Sequence, residues 1–283
     1  MTSTNGSVTR TAHAKINLTL HVTGQRTDGY HLLDSLVMFT RLGDEITVRE
    51  ADDLTLTIDG PFAQGLSCVD NLVLRAARMM SPDRGAAIHL TKALPVASGI
   101  GGGSADAAAT LLALSELWDM PLPDWDNVLT LGADVPLCLS TELSRMRGIG
   151  EDIQLIGPAP MLDVLLVNPG VGVSTPAVFG ALESKGSPPM GDPMPDPFET
   201  ETWINWIAQQ RNDLQGPAIA GTPVIAKVLA VLQAQVGCQI ARMSGSGATC
   251  YAIFEDFESC QAAKTALDTE HPDWWVAQTD EAP

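Results

Sequence analysis

The stretch Pro95-Val96-Ala97-Ser98-Gly99-Ile100-Gly101-Gly102-Gly103-Ser104-Ala105-Asp106-Ala107-Ala108 puts four glycines within five positions and runs straight into an alanine- and leucine-rich segment. Glycine loses more conformational freedom on folding than any other residue, so such a cluster is costly unless the backbone must approach something closely. The segment from Ser104 to about Trp118 has the composition of a helix. Its first N–H groups, with those of the glycine loop before it, make a cradle for phosphate oxygens. The plainer alternative is a flexible surface loop. Two familiar phosphate loops are excluded by inspection. None of the five lysines follows a glycine, so G-x-x-x-x-G-K-[ST] is absent, and the sixth position counted from Gly99 is Ser104, which breaks G-x-G-x-x-G.

On the N-terminal side of this loop, Ile16, Leu18, Leu20 and Val22 alternate with Lys15, Asn17, Thr19 and His21. The period of two predicts a half-buried strand whose polar face carries Lys15 and Asn17. Turn residues from Thr23 to Gly29 end it, and Tyr30 to Thr40 reads as a second strand. Shorter strands are expected around Ile46-Val48 and Leu54-Ile58, joined by an acidic turn at Glu50 to Asp53, in an antiparallel arrangement. Asp70 reads as the N-cap of a helix from Asn71 to Met80, and Ala87 to Lys92 as a strand.

Beyond Gly157-Pro158 the pattern restarts. A strand from Leu162 to Val167 and a short helix from Thr175 to Leu182 precede a proline-rich stretch, Gly186 to Pro197, which reads as a loop or partly mobile lid. The remainder reads helix (Pro223 to Gln235), strand (Gln239 to Met243), strand (Ala248 to Phe254), helix (Phe257 to Thr269) and strand (Trp274 to Gln278). This is an α+β pattern with a domain boundary near Gly157.

At 283 residues and 45% hydrophobic content the chain is long enough for two domains. Its formal charge of −18 argues against a nucleic-acid partner, which would require a cationic face. The five cysteines are odd in number and form no C-x-x-C pair, so neither a disulfide framework nor a zinc site is signalled. The five histidines show no metal-ligand spacing such as H-E-x-x-H. The first residues carry no apolar signal region, and every apolar stretch is interrupted well short of a membrane span, so a cytoplasmic protein with no membrane partner is expected.

The glycine-rich segment resembles the central motif of the GHMP kinases, with Ser98 and Ser104 at its small polar positions. Further segments resemble the branch of that family that phosphorylates 4-diphosphocytidyl-2-C-methylerythritol: Ala14-Lys15-Ile16-Asn17-Leu18, Asp28-Gly29-Tyr30-His31-Leu32-Leu33, Gly132-Ala133-Asp134-Val135-Pro136, Asn168-Pro169-Gly170, Arg211-Asn212-Asp213-Leu214 and Met243-Ser244-Gly245-Ser246-Gly247-Ala248-Thr249. They fall in the same order over nearly the whole chain. His13 stands where a proline usually precedes Ala14-Lys15, and Thr141-Glu142 where glycines are common.

The resemblance implies a two-domain α+β fold. Residues 1–157 would form an N-terminal ribosomal-protein-like α/β domain, and residues 158–283 a C-terminal ferredoxin-like sandwich. It implies transfer of the ATP γ-phosphoryl group to the 2-hydroxyl of the acceptor, a step of non-mevalonate isoprenoid precursor synthesis, with Lys15 and Asp134 as catalytic residues. Asp134 either removes the hydroxyl proton or orients the hydroxyl while Lys15 lowers its pKa. The implied ATP positions are Asn71, Lys92, Pro95, Val96, Ala97, Ser98, Gly99, Ile100, Gly101, Gly102, Gly103, Ser104 and Ala105, with Mg2+ arriving on ATP and no metal held by the protein. The acceptor positions are Asn17, Tyr30, His31, Thr175, Phe179, Gly245 and Ser246. Tyr30 and Phe179 are expected to flank the cytosine while His31 bonds its edge. The partner is a small molecule carrying a cytidine diphosphate group, and the expected state is a monomer or weak homodimer. Rival readings are a GHMP kinase acting on homoserine or mevalonate, and a nucleotide-binding regulatory protein without catalysis.

Overall fold

The computed structural model describes residues 6–192, 194–195 and 199–282. In chain order the elements are β1 (Ser7–Asn17), β2 (His21–Gln25), β3 (His31–Glu50), β4 (Thr55–Asp59), α1 (Leu72–Met80), β5 (Ala86–Thr91), α2 (Gly102–Trp118) and α3 (Trp125–Leu129). A 3-10 turn at Leu137–Leu139 leads to β6 (Leu143–Gly148), β7 (Asp152–Gly157), β8 (Asp163–Asn168), α4 (Thr175–Gly180), α5 (Thr200–Ala208), α6 (Gln215–Gly221) and α7 (Val224–Gln233). The chain closes with β9 (Cys238–Met243), β10 (Cys250–Phe254), α8 (Phe257–Glu270) and β11 (Trp275–Thr279). Two units are built from these elements. One comprises residues up to Lys15, Leu42–Val96 and Gly101–Thr141; the other comprises Ile16–Arg41, Ala97–Ile100 and the chain from Glu142 onward.

In the first unit β5 pairs antiparallel with the end of β3, Glu45 opposite Thr91, and parallel with β4, Thr55 opposite Ala87. The expected antiparallel pairing of the Leu54-Ile58 segment is therefore corrected. A helix, α1, connects β4 to β5, and a strand–helix–strand crossover returns the chain in the same direction. The cap of α1 is Asn71, not Asp70: the Asn71 side chain accepts a hydrogen bond from the Val73 N–H at 3.0 Å. Alanines on nearly every face of α2, among them Ala105, Ala107, Ala108 and Ala113, are buried in a core with Val73, Ala77, Ile46, Val48, Ile88 and Leu90. The Tyr30-Thr40 and Ile46-Val48 segments, expected as separate strands, form one strand of 20 residues. Gly43 permits this, because a Cβ there would collide with the Ala12 carbonyl, so the absent side chain lets β1 lie against β3.

In the second unit the sheet order is β11-β8-β10-β9, all antiparallel. The succession β8, helices, β9, β10, α8, β11 is the βαββαβ arrangement of a ferredoxin-like sandwich. Leu165, Val167, Ala252 and Phe254 share one core with Ile225, Val228 and Leu232 of α7 and with Ala263 and Leu267 of α8. The first part of β3 pairs with β2 and with β6, and β6 with β7.

One further expectation is corrected here. The Lys15-Val22 segment is not one half-buried strand. β1 ends at Asn17, β2 begins at His21, and the polar residues Lys15, Asn17, Thr19 and His21 are as buried as the apolar ones between them. Their polar atoms find partners inside: Asn17 donates to Ser35 Oγ at 2.8 Å, and Thr19 Oγ1 accepts from the Leu36 N–H at 2.9 Å. The proline-rich stretch, expected as a loop or partly mobile lid, is a loop over its first residues, held like a strap. The Ser187 N–H donates to Val22 O, Pro188 O accepts from Arg211 Nη2 at 2.6 Å, and Met190 is buried with its N–H on Asp34 Oδ2 at 2.9 Å. Arg145 fastens the strap by donating twice to Asp34, at 2.7 and 2.8 Å, and once to Asp192 at 2.6 Å. Residues 193 and 196–197 of the stretch lie outside the described residues.

Candidate active site

The glycine loop has the backbone that its sequence anticipates. Ala97, Gly99 and Gly101 take positive φ, at 52°, 78° and 69°, and the residues between them do not. Alternation of this kind turns successive N–H groups toward one side, the geometry of an anion nest. No side chain caps the start of α2, and its first turn holds no acidic residue, so its N–H groups and the positive end of the helix are left for a ligand. Gly101 is required by contact as well as by φ, since a Cβ there would lie 3.1 Å from Lys15 Cβ.

Lys15, at the end of β1, therefore runs along the start of α2. Its Nζ donates to Asp134 Oδ2 at 2.6 Å. Asp134 sits just before the 3-10 turn, held by a local turn in which the Val135 N–H bonds Gly132 O and the Cys138 N–H bonds Asp134 O. The lysine side chain is 6% exposed and the aspartate 34%, so the carboxylate is reachable from solvent while the ammonium is enclosed. Burial, then the Asp134 charge, pushes the neighbouring Cys138 thiol strongly up, which keeps it a neutral side chain. The two residues singled out for phosphoryl transfer thus meet each other beside Gly101. A carboxylate that can orient a hydroxyl and a cation that can meet developing negative charge are the minimal equipment for that chemistry.

The Lys92 and Asn71 side chains are engaged within the protein. The Lys92 ammonium is buried between Asp44 and Asp106, bonding Asp44 Oδ2 and, at 2.7 Å, Asp106 Oδ2. Asn71 caps α1 through its oxygen and donates through Nδ2 to Ser67 O at 3.0 Å.

In the second unit Ser98, Gly99 and Ile100 meet the second glycine loop. The Thr249 N–H donates to Ser98 O at 3.1 Å, and Ser244 Oγ donates to Gly99 O at 3.2 Å while accepting from the Asn17 N–H at 3.1 Å. The approach is so close that a Cβ on Gly99 would lie 2.7 Å from Gly247 O. Asn212 holds the same loop by donating to Met243 O and Gly245 O, both at 2.8 Å. Ser246 Oγ and Thr175 Oγ1 are 2.7 Å apart. The ring lying on Phe179 is that of His31, with centroids 4.9 Å apart and planes at 24°, whereas Tyr30 is 62% exposed. His31 Nε2 is buried and has no hydrogen-bond partner among the described residues. Burial, then the Lys185 charge, lowers the His31 pKa below its usual value and leaves a neutral imidazole at neutral pH.

The chain is similar to known proteins over nearly its whole length. Residues 71–142 match the GHMP kinases N terminal domain and residues 200–273 the GHMP kinases C terminal model. A 4-diphosphocytidyl-2-C-methyl-D-erythritol kinase from Ruegeria pomeroyi is 57% identical over 269 residues, covering 94% of this chain and 96% of that protein. The chain belongs to the 4-diphosphocytidyl-2-C-methyl-D-erythritol kinase family of GHMP kinases. A crystal structure of 4-(cytidine 5'-diphospho)-2C-methyl-D-erythritol kinase superposes with a TM-score of 0.80 at 30% identity, covering 97% of this chain and all of that one. Homoserine kinase from Cytophaga hutchinsonii, at 17% identity and a TM-score of 0.67, shares the fold. Membership makes the chain a kinase, with ATP as the co-substrate that the family implies.

Several residues that hold the candidate site together were not read from the sequence. Asp44, Asp106 and Asn212 were not singled out for a positioning role, although Asp106 lies within the glycine segment and Asn212 within a quoted motif. Asp44 follows Gly43 directly, between the apolar runs at 36–39 and 46–48, and no local signal sets it apart from Glu45 beside it. Among the described residues no group of three or more His, Cys, Asp or Glu side chains is arranged to hold a metal ion. No described helix is long and apolar enough to cross a membrane.

Proposed function

We propose that this chain transfers the γ-phosphoryl group of ATP to the 2-hydroxyl of 4-diphosphocytidyl-2-C-methylerythritol, with Lys15 and Asp134 at the reacting centre. The observation that carries the assignment is the enclosed Lys15 ammonium bonded to a solvent-reachable Asp134 carboxylate at 2.6 Å, with Gly101 against the lysine stem. Asp134 receives the acceptor hydroxyl and its proton. The hydroxyl oxygen forms the new bond to the γ-phosphorus as the bond from that phosphorus to the bridging oxygen breaks, releasing ADP. Lys15 stabilises charge on the transferring group, an interaction that strengthens in the transition state and so raises kcat. The loop backbone from Pro95 to Ala105, with its alternating φ signs and uncapped helix start, suits the ATP phosphates. Mg2+ enters as part of the ATP substrate.

Cytidine recognition is assigned to the second unit. His31 Nε2, buried and with no partner among the described residues, is suited to the edge of a base, and the neutral ring supplies one donor and one acceptor. Phe179 and the exposed Tyr30 offer aromatic faces, while Asn17, Thr175, Gly245 and Ser246 are assigned to the remaining acceptor groups. The division into residues 1–157 and 158–283 is proposed with this reading; each family-model match falls within one half. The proposed setting is the cytoplasm, as a monomer or weak homodimer.

An acceptor panel measured by ADP release tests the proposal. Turnover is expected with the cytidylylated acceptor and not with methylerythritol phosphate, homoserine or mevalonate. Comparable turnover of the truncated acceptor would remove the cytidine assignment, and turnover confined to homoserine or mevalonate would move the chain to another GHMP activity.

A further inference from the structure

Three charged residues buried in the first unit have no part in the chemistry described above. Asp44, on β3, is fully buried. Its Oδ1 accepts the N–H groups of Ala93 and Leu94 at 2.6 and 2.8 Å, and its Oδ2 accepts from Lys92 Nζ. Lys92 Nζ also donates to Asp106 Oδ2 at 2.7 Å, and Asp106 lies one turn inside α2. A Cβ built on Gly102 would stand 3.2 Å from Lys92 Nζ and 3.6 Å from Asp44 Oδ2, so the cluster backs the first residue of α2 directly. Residues 92–94 lead into the glycine loop and Gly102 leads out of it. The cluster grips both ends.

Such an arrangement is a poor way to gain stability. Burying ions carries a desolvation penalty that often exceeds their attraction, and apolar residues of similar volume frequently serve as well or better. Here two carboxylates face one cation, and Asp106 Oδ1 is buried with no hydrogen-bond partner among the described residues, a further cost. Burial pushes the Asp106 carboxyl up to about 7, with Lys92 pulling it back and Asp44 adding to the rise. What the three groups do provide is directional bonds between β3, the strand end at residues 92–94 and α2.

We propose that Asp44, Lys92 and Asp106 form a buried clamp that fixes the two ends of the glycine loop, making Lys92 a positioning residue for ATP that acts through the clamp. The inference rests on reading the loop as the ATP phosphate cradle. Loop N–H groups stabilise phosphate only when held within a fraction of an ångström of the productive position, so loosening either end weakens nucleotide binding while the acceptor site is spared.

The test compares Asp44→Asn, Lys92→Met, Asp106→Asn and the Asp44→Asn/Lys92→Met double variant in the full chain. Mg-ATP affinity is measured by calorimetry, KM for each substrate by saturation kinetics, and folding by thermal melts. Each single variant is expected to raise the Mg-ATP Kd and KM about 10- to 100-fold and to leave the acceptor KM within about twofold. Because the residues act as one unit, the double variant is expected to be no weaker than the worse single variant. A loss confined to Lys92→Met, with both aspartate variants binding Mg-ATP normally, would show that Lys92 contacts the nucleotide itself and would overturn the clamp. Normal binding by all variants would overturn it too. Should Asp44→Asn fail to fold, Asp106→Asn and Lys92→Met decide between the same outcomes. Gly101→Ala separates this inference from the reading beneath it, since it strains a φ of 69° and crowds Lys15 without touching the clamp. If Gly101→Ala binds Mg-ATP normally, the loop is not the ATP cradle. If it loses Mg-ATP while the clamp variants do not, only the clamp falls.

Discussion

Replacing Asp134 by Asn keeps the size of the side chain and its hydrogen bond to Lys15 while withdrawing the negative charge. Two effects follow, and the structure separates them. The chemical effect is the loss of a positioned proton acceptor, which lowers kcat by about 10²- to 10⁴-fold, or about 2.7–5.4 kcal/mol of transition-state stabilisation. The structural effect is the loss of the partner of an enclosed ammonium. Breaking a fully buried pair costs about 3–5 kcal/mol and an exposed pair about 0–1 kcal/mol. With Lys15 at 6% and Asp134 at 34% exposure the pair lies between these limits, and about 1–2 kcal/mol is expected. The variant therefore stays folded at assay temperature, melts slightly earlier and is nearly inactive. Saturation kinetics in both substrates, a melt and Mg-ATP calorimetry measure the three quantities. Unchanged Mg-ATP affinity with a collapsed kcat supports the assignment. A kcat within about threefold of wild type refutes it, whatever the melt shows.

Phe179→Ala removes the ring that His31 stacks upon and should raise the acceptor KM about tenfold, since base–aromatic stacking is worth about 1–3 kcal/mol per base; the ATP KM should not move, and a selective loss of ATP affinity would relocate the cytidine. Arg145→Met should destabilise by about 3–5 kcal/mol at neutral pH by leaving the Asp34 carboxylate buried without its main cation. Arg147, partly exposed and 3.8 Å away, compensates only in part. The deficit should depend on pH. In the native chain burial pushes the Asp34 carboxyl up, but the Arg145 and Met190 hydrogen bonds more than offset this, so its folded pKa lies below its ordinary value and its contribution is lost only as the pH falls through that lowered pKa. Without Arg145 burial prevails and Asp34 takes up a proton at higher pH, so the deficit shrinks on acidification. Urea titrations at neutral and mildly acidic pH check the sign, and an equal deficit at both would refute it.

The parts of the fold legible in the sequence are those decided within a few residues. The glycines from Gly99 to Gly103 followed by alanines announce a loop and helix whatever surrounds them, and the second unit shows its strands and helices as clean changes of period from Ala248 to Gln278. Longer-range features were hidden. That one strand runs through Gly43 and Asp44 depends on the Ala12 backbone packed against Gly43, which no local pattern shows. The polar residues from Lys15 to His21 read as a wet face because alternation tells only which side chains share a side, and not whether water or a hydrogen-bonding interior covers it. Asp44 with Lys92 and Asp34 with Arg145 are 48 and 111 positions apart, so no local pattern joins them. Motif matching assigned Lys15 and Asp134 to one reacting centre, and in the structure the two side chains bond each other. It assigned Lys92 and Asn71 to the nucleotide; Lys92 bonds Asp44 and Asp106, which no local pattern links to it, and Asn71 bonds the Val73 N–H as the cap of α1.

The central claim is a phosphoryl transfer between two particular atoms, and γ-labelled ATP follows it most directly. The chain is incubated with labelled ATP and 4-diphosphocytidyl-2-C-methylerythritol, and the product is examined by phosphorus NMR to locate the new ester. The account predicts that the label moves to the oxygen at carbon 2 with one ADP released per label, and that Asp134→Asn abolishes this transfer while still binding Mg-ATP. Label released only as inorganic phosphate, or carried onto a different oxygen of the acceptor, would contradict it.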